Sequence, residues 1–228
     1  MIQLTKLKLI ISDAVQFYTS HLTIIAALCL PWLIAAALVE YGIIFAVQNS
    51  EEAAPLFLVA WSFNLLIYPI YTGALIMLMA KRAQREQPTN RELTAASMKI
   101  WQPLFMVHII RSGLTALGFM LFIVPGVYAA VRLSFAEFHL VLEGLKPIEA
   151  IQKSFQATRP YFGLILILLA MFMIPLLLLT FMLGGVVQEL NLSPILNVTL
   201  SILISFLTLF VDVVKFRVYM SAMQDPTI

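Results

Sequence analysis

The sequence predicts an all-α fold, a polytopic transmembrane helical bundle of about six spans with three amphipathic helices on its cytoplasmic face. The chain has 228 residues and is 61% hydrophobic. A helix of about 20 apolar residues crosses the roughly 30 Å hydrocarbon core of a bilayer. Alternating ten-residue segments, the pattern of a β-barrel, are absent, so helices must satisfy the backbone in lipid. The apolar runs that predict spans cover 22–47, 55–80, 103–124, 126–142, 161–187 and 194–214.

These spans leave little room for anything else, and we expect 1–228 to be a single integral membrane domain. The longest polar stretch, 81–102, is too short for a soluble catalytic domain. The net charge of +2 gives no reason to expect a nucleic-acid partner. Cys29 is the one cysteine, and no CxxC or HExxH motif is present. We therefore expect neither a cofactor nor catalytic residues.

The basic residues predict the orientation of the bundle. Twelve of the fourteen Lys and Arg residues fall on one side of a six-span topology. The opposite loops, 48–54 and 188–193, carry Glu51, Glu52 and Glu189 instead. The positive-inside rule then places both termini in the cytoplasm. Topology alone accounts for these charges, and the alternative is a specific site for anionic headgroups or a partner. The twelve residues are Lys6, Lys8, Lys81, Arg82, Arg85, Arg91, Lys99, Lys146, Lys153, Arg159, Lys215 and Arg217.

Three stretches that precede spans are amphipathic at helical spacing. Basic amphipathic helices of this kind lie in the headgroup region. The chain therefore reads as three units of surface helix, span and span. The apolar faces are formed by Leu7, Ile10, Ala14 and Phe17 in the first helix, by Leu93, Ala96 and Ile100 in the second, and by Ile148, Ile151 and Phe155 in the third.

The segment around Pro125-Gly126 is the least regular part of the predicted bundle. Pro-Gly is a turn dipeptide, and here it separates two apolar runs with no polar loop between them. It predicts either a tight outer hairpin or a hairpin that does not cross fully. The run 126–142 is short and contains three ionisable residues, which favours burial inside the protein over exposure to lipid. Pro31, Pro69 and Pro175 fall inside other spans and predict kinks that either line a cavity or shape packing.

Ionisable residues inside predicted spans form a candidate polar cluster. With a rise of about 1.5 Å per residue from the Pro-Gly turn, Arg111 lies about 20 Å deep, Glu137 about 17 Å and His139 about 20 Å. We therefore predict an Arg111–Glu137 ion pair with His139 nearby. His108 and Glu143 also match in depth, at about 24 and 26 Å. The cluster is either a structural clamp or a proton relay or anionic-headgroup site.

Arg132 is the second basic residue that falls inside a predicted span. It lies only about 9 Å from the outer end, so its side chain either snorkels outward or binds a lipid phosphate. Near the other end of the last span, Asp212 and Lys215 stand at i, i+3 and predict an ion pair.

The stretch 122–163 resembles a known family. It carries Val124-Pro125-Gly126, an apolar run with Arg132, then Glu143-Gly144, the run 147–150 (Pro-Ile-Glu-Ala) and Lys153-Ser154. This pattern is similar to the YciC-like family of bacterial inner-membrane proteins of unknown function. It also resembles the membrane domain that accompanies some glycerophosphodiester phosphodiesterases. The resemblance implies a bacterial inner-membrane location and brings no catalytic residues.

Three function hypotheses follow. The first is a non-enzymatic scaffold or accessory factor in envelope or lipid homeostasis, with membrane lipids, anionic headgroups and a protein partner or second copy as its contacts. The second is a transporter or lipid-handling protein that uses the buried Arg, Glu and His residues. It requires a continuous cavity at Arg111 and Glu137, whereas the first predicts a packed interior there. The third, an intramembrane enzyme, lacks any recognisable catalytic motif.

Overall fold

The computed structural model describes residues 2–48, 53–189 and 194–224, which form helices joined by short connections and contain no strand. The all-α prediction is confirmed. The helices are α1 (Ile2–Ser20), α2 (Leu22–Gln48), α3 (Ala53–Ala83), α4 (Asn90–Lys99), α5 (Trp101–Leu121), α6 (Ile123–Arg132), α7 (Ala136–Glu143), α8 (Pro147–Ala157), α9 (Phe162–Glu189) and α10 (Pro194–Gln224).

Five of these helices are long and apolar enough to cross a membrane, namely α2, α3, α5, α9 and α10. They match five of the six predicted spans to within a few residues, except that α10 continues about ten residues beyond its predicted end at 214. The chain is therefore an integral membrane protein with several spans. The remaining predicted span, 126–142, is not one helix. It falls on α6 and α7, of 10 and 8 residues, and neither is long enough to cross alone.

The break between α6 and α7 is stabilised by hydroxyl groups from α8. The Oγ of Ser154 donates to the carbonyl oxygen of Arg132 at 2.8 Å and accepts from the backbone N–H of Phe135 at 3.1 Å. Thr158 donates to the same Arg132 carbonyl at 3.2 Å. A helix interrupted in an apolar environment needs new partners for its freed backbone groups, and these side chains supply them. Ser154 and Thr158 are fully buried at the break.

The turn between α5 and α6 lies three residues before Pro125-Gly126, so the predicted turn position is wrong. Phe122 is extended, with φ −164° and ψ 161°, and caps both helices. Pro125 lies in the first turn of α6, where its missing N–H costs nothing. Gly126 allows α5 and α6 to pack closely, because a Cβ added to Gly118 would lie only 2.7 Å from the Gly126 Cα. The two glycines let α5 and α6 approach closely, as small residues do in membrane helix pairs.

The three predicted amphipathic stretches are helices, and the buried face of the first is the predicted one. Ile10, Ala14 and Phe17 of α1 are buried, whereas Lys8 and Ser12 are exposed. Helix α4 buries Leu93 and begins with a capping box, in which Thr89 and Glu92 each accept from the other's backbone N–H.

The buried face of α8 differs from the prediction. Ile148 is 64% exposed, and the buried residues are Ala150 and Ser154. The reason is that Ser154 must reach the break between α6 and α7, which turns Ile148 to the outside. The helix itself begins as the sequence motif requires: Pro147 is its first residue and Glu149 accepts from the Lys146 N–H at 3.2 Å. Gly144, with φ +68°, ends α7 in the left-handed conformation.

Pro31, Pro69 and Pro175 lie inside α2, α3 and α9. Around Pro69, neighbouring helices supply hydrogen bonds to the α3 backbone. Ser97 of α4 donates to the carbonyl of Ile70 at 2.7 Å, and the Trp101 indole donates to that of Leu66 at 2.9 Å. The part of α3 around Pro69 is thus hydrogen-bonded to α4 and α5.

The core lies where α1, α4, α7 and α8 pack against one end of the long helices. Its largest fully buried side chains include Phe135, Phe216, Leu75 and Met79. The other halves of α9 and α10 present apolar side chains outward. Phe181 is 83% exposed and Ile195 79% exposed. Exposed apolar rows of this kind on helices of membrane-spanning length are the surface that faces lipid.

Candidate functional site

Arg111 and Glu137 form the centre of a buried polar cluster. A guanidinium nitrogen of Arg111 lies 3.3 Å from Oε1 of Glu137, as the depth argument predicted. Helix α5 supplies Arg111 and the first turn of α7 supplies Glu137. Glu137 is 4% exposed. A charge buried this deeply is stable only when it is paired and hydrogen-bonded.

Tyr68 and His108 complete this group, which we call the Arg111–Glu137 cluster (Tyr68, His108, Arg111 and Glu137). Arg111 donates to the Tyr68 hydroxyl at 3.2 Å, and that hydroxyl lies 3.5 Å from Oε2 of Glu137. Nδ1 of His108 lies 3.4 Å from Oε1 of Glu137. The imidazole also stacks on the Tyr68 ring, with the centroids 3.9 Å apart. The cluster therefore ties α3, α5 and α7 together.

Within the described residues, Glu137 is more fully hydrogen-bonded in this cluster than Arg111, because one nitrogen of Arg111 has no partner. Both oxygens of Glu137 have partners on α3 or α5. Among the described residues, Nε of Arg111 is a buried nitrogen without a hydrogen-bond partner. Neither Arg111 nor Glu137 lines the polar cavity between α2, α3 and α10, whose wall includes Tyr68. Their direct contact is the arrangement that the structural-clamp hypothesis predicts.

His139 does not lie beside the Arg111–Glu137 pair, so that part of the prediction is wrong. It is fully buried, and its Nδ1 lies 2.9 Å from Oε1 of Glu143. Glu137 and His139 are two residues apart on α7, which rotates them by about 200° around the helix. Glu137 and His139 therefore lie at similar depth but on different faces of α7. The predicted depth match of His108 with Glu143 is likewise not a contact, because His108 pairs with Glu137.

His139 belongs to a second group, the Glu143 cluster (His139, Glu143, Lys153 and Tyr219). The Tyr219 hydroxyl donates to Oε1 of Glu143 at 3.0 Å, and Lys153 donates to Oε2. The cluster joins α7, α8 and α10. Burial raises the pKa of Glu143, but hydrogen bonds from Lys153, His139 and Tyr219 outweigh it, so the pKa of this carboxyl lies below its usual value.

Arg132 is separate from both clusters. Its guanidinium lies over the ring of Phe155, with Cζ 4.7 Å from the centroid, and over Tyr128 at 5.7 Å. Such cation–π contacts stabilise a desolvated guanidinium. The side chain is thus directed at α8, the helix predicted on the cytoplasmic face. The alternatives of outward snorkelling and lipid-phosphate binding stay predictions.

A polar cavity between α2, α3 and α10 was not predicted. Its volume is about 160 Å³. A stripe of Ser201, Ser205, Thr208 and Asp212 on α10 has i, i+4, i+7, i+11 spacing and therefore shares one helix face. This stripe is the signal in the sequence that would have revealed the cavity. The lining consists of Leu33, Ala36, Ala37, Glu40, Asn64, Tyr68, Tyr71, Ser201, Ser205, Thr208, Leu209 and Asp212.

The two carboxylates of this cavity, which we call the α2–α3–α10 cavity, differ in exposure. Asp212 is buried and forms the predicted ion pair with Lys215. Glu40 is exposed. Tyr68 lines the cavity and also belongs to the Arg111–Glu137 cluster. This tyrosine is therefore the point where the cavity meets the clamp.

Within the described residues, no group of three or more His, Cys, Asp and Glu side chains is placed to hold a metal ion. The absence of a cofactor stays a prediction. No family model, no curated protein and no solved structure matches this chain.

Proposed function

We propose that this integral membrane protein is a non-enzymatic scaffold or accessory factor in envelope or lipid homeostasis, located in a bacterial inner membrane. Both termini lie in the cytoplasm in this proposal, and α6 and α7 together make the sixth crossing as one broken span. The observation that carries the proposal is the closure of the Arg111–Glu137 cluster. Its two charged groups contact each other and join α3, α5 and α7, and neither lines the polar cavity between α2, α3 and α10. A buried ion pair of this kind holds one arrangement of helices in place.

The short helices supply the surface for lipid contact. Exposed basic residues lie at the end of α3 and along α4 and α8, including Lys81, Arg91 and Lys153. Exposed apolar side chains stand beside them, Met98 at 50% and Ile148 at 64%. Basic residues flanking exposed apolar ones are the composition of helices that bind anionic headgroups. The resemblance of 122–163 to YciC-like proteins supports the same membrane location.

The experiment that tests this function is complementation of a strain lacking the gene, with envelope integrity as the readout. Three variants are compared: Arg111→Leu, Glu137→Leu and the double variant. A scaffold role predicts that each single variant is lost from the membrane. It predicts that the double variant, which buries no unpaired charge, accumulates and restores the envelope phenotype. A double variant that accumulates normally and fails to complement would show that the charges act in chemistry or transport.

The orientation is tested separately with reporters fused to the C-terminus. A cytoplasmic C-terminus gives a fluorescent green fluorescent protein fusion and an inactive alkaline phosphatase fusion. The reverse result would overturn the orientation read from the basic residues.

A second candidate function, passage of a small polar solute, is favoured by one observation. The α2–α3–α10 cavity places hydroxyl and carboxylate groups among helices of membrane-spanning length. This version of the transporter hypothesis uses residues other than the Arg111–Glu137 pair.

A further inference from the structure

The α2–α3–α10 cavity lies within three of the five helices that are long enough to cross a membrane. Its lining residues fall inside Leu22–Ile43, Ser62–Ala83 and Ile195–Met223. Polar residues in such segments are costly against lipid and face a protein interior or water instead. The cavity is therefore a place where water can enter between spanning helices.

Helix α10 shows how the polar and apolar sides are divided. Ser201, Ser205 and Thr208 line the cavity, whereas Leu203 and Leu207 point away from it and are 53% and 39% exposed. The polar side chains thus share one face of a helix whose other face is apolar. Substitutions on the two faces of this helix therefore allow the cavity-facing and the lipid-facing environments to be compared directly.

The size and chemistry of the lining suit water rather than a lipid chain. A volume of about 160 Å³ holds several water molecules when polar partners surround them. The hydroxyls of Tyr71, Ser201 and Ser205 and the carboxylates of Glu40 and Asp212 offer such partners. A dry cavity would leave these polar groups without solvent.

The charges of the lining have one sign. The lining includes two carboxylates and no Lys, Arg or His among the described residues. Lys215 pairs with Asp212 and so balances the inner carboxylate. Glu40 is exposed and has no ion pair among the described residues. Its negative charge therefore dominates the electrostatic potential in the cavity. A low-dielectric cleft lined by one sign of charge concentrates ions of the opposite sign.

From these observations we propose that the α2–α3–α10 cavity is a water-filled vestibule that admits small cations, with Glu40 selecting positive charge and Asp212 lining the interior. Carboxylate and hydroxyl oxygens are the groups that hard cations prefer. In this proposal the Arg111–Glu137 cluster has only a structural role. It goes beyond the proposed scaffold role, since a scaffold needs no aqueous cavity.

Cysteine labelling in native membranes tests the proposal. Cys29 is first replaced by Ala, which leaves no other cysteine. Ser205→Cys then reports the cavity, and Leu203→Cys is its matched lipid-facing control two residues away. Water-soluble methanethiosulfonates react with the thiolate, which forms only where water reaches the sulfur. We expect the S205C variant to be labelled at least tenfold faster than the L203C variant.

Charge selectivity is tested with two reagents of similar size, one carrying a trimethylammonium group and one a sulfonate group. The S205C variant should react faster with the cationic reagent, and adding Glu40→Gln should reduce that preference several-fold. Ser201→Cys, one turn away on the same face, replaces S205C if that variant does not fold. Absence of labelling in folded protein, or labelling without charge preference, would overturn the proposal.

Discussion

The phenolic oxygen of Tyr68 lies 3.2 Å from a guanidinium nitrogen of Arg111, and the same tyrosine forms part of the wall of the α2–α3–α10 cavity. One side chain therefore borders two different environments. On one side its hydroxyl accepts from a buried cation, and on the other the lining is open enough for water. The clamp and the cavity are adjacent but separate, which is why they are tested with different variants.

Removing the Tyr68 hydroxyl should weaken the clamp without disturbing the stacked ring. Tyr68→Phe keeps the contact with His108 and deletes the acceptor for Arg111. Arg111 keeps its contact with Oε1 of Glu137, but Oε2 of Glu137 loses the hydroxyl that donates to it. Loss of a hydrogen-bond partner by a buried group costs about 1–3 kcal/mol. We expect a lower unfolding temperature in detergent, measured by size-exclusion chromatography after heating.

Tyr71→Phe is the matched control for this change. Tyr71 lines the same cavity and lies next to Tyr68, with the ring centroids 5.5 Å apart. Its hydroxyl makes no hydrogen bond to the Arg111–Glu137 cluster. An equal loss in both variants would show that the cavity lining, and not the clamp, depends on the tyrosine hydroxyls.

Ser154 should be needed for the break between α6 and α7. Ser154→Ala removes the donor to Arg132 and the acceptor for Phe135 at once. Because both backbone groups are buried, we expect a loss of about 1–3 kcal/mol in the free energy of unfolding. Ser12→Ala, on the exposed face of α1, should change stability by less than about 0.5 kcal/mol. Equal stability of the two variants would contradict the role given to Ser154.

Gly73 should tolerate no side chain. A Cβ there would meet Oγ of Ser97 at 2.4 Å and Cδ2 of Leu104 at 2.8 Å. Gly73→Ala should therefore separate α3 from α4 and α5 and cost about 1–3 kcal/mol. Gly113→Ala, also in a spanning helix, has open space around its Cβ and should be neutral or slightly stabilising. The comparison is made by thermal unfolding of both variants, and a neutral G73A would contradict the packing.

Glu143 should contribute stability that depends on pH. Because its pKa in the folded protein is below the usual value, its contribution is full above the ordinary carboxyl pKa of 4.5 and is lost as pH falls through the folded pKa. Glu143→Gln should lower the unfolding temperature at pH 7. In acid, the difference in unfolding temperature between this variant and the parent protein should become smaller. Glu86→Gln breaks an exposed pair with Lys81 and should have little effect at pH 7. A difference from the parent that widens in acid would refute this assignment.

The sequence predicted the features that depend on order along the chain, and it missed those that depend on rotation and packing of the helices. Apolar length and amphipathic spacing depend on neighbours along the chain, so the five long helices and α1, α4 and α8 were predicted. The Arg111–Glu137 pair was found because depth in a hairpin follows from residue count. His139 was misplaced because rotation around α7 decides its partner.

Two other features required knowledge of neighbouring helices. Pro125-Gly126 is a turn signal in most contexts, yet Gly126 is present for the close approach of Gly118. The fourth predicted span, 126–142, was expected to be one helix, although it is short and contains three ionisable residues. Its break became visible only when Ser154 and Thr158, more than twenty residues later along the chain, were seen to bond Arg132. The cavity was missed because the stripe from Ser201 to Asp212 was not read as one face.

The most direct test of the central claim is the coupling energy between Arg111 and Glu137. Reversible unfolding in SDS, followed by Trp fluorescence, is measured for Arg111→Leu, Glu137→Leu and the double variant. A structural clamp predicts that each single variant loses about 3–5 kcal/mol, because one charge stays buried without its partner. It predicts that the double variant loses much less than the sum. Additive losses, or single variants as stable as the parent protein, would contradict the clamp.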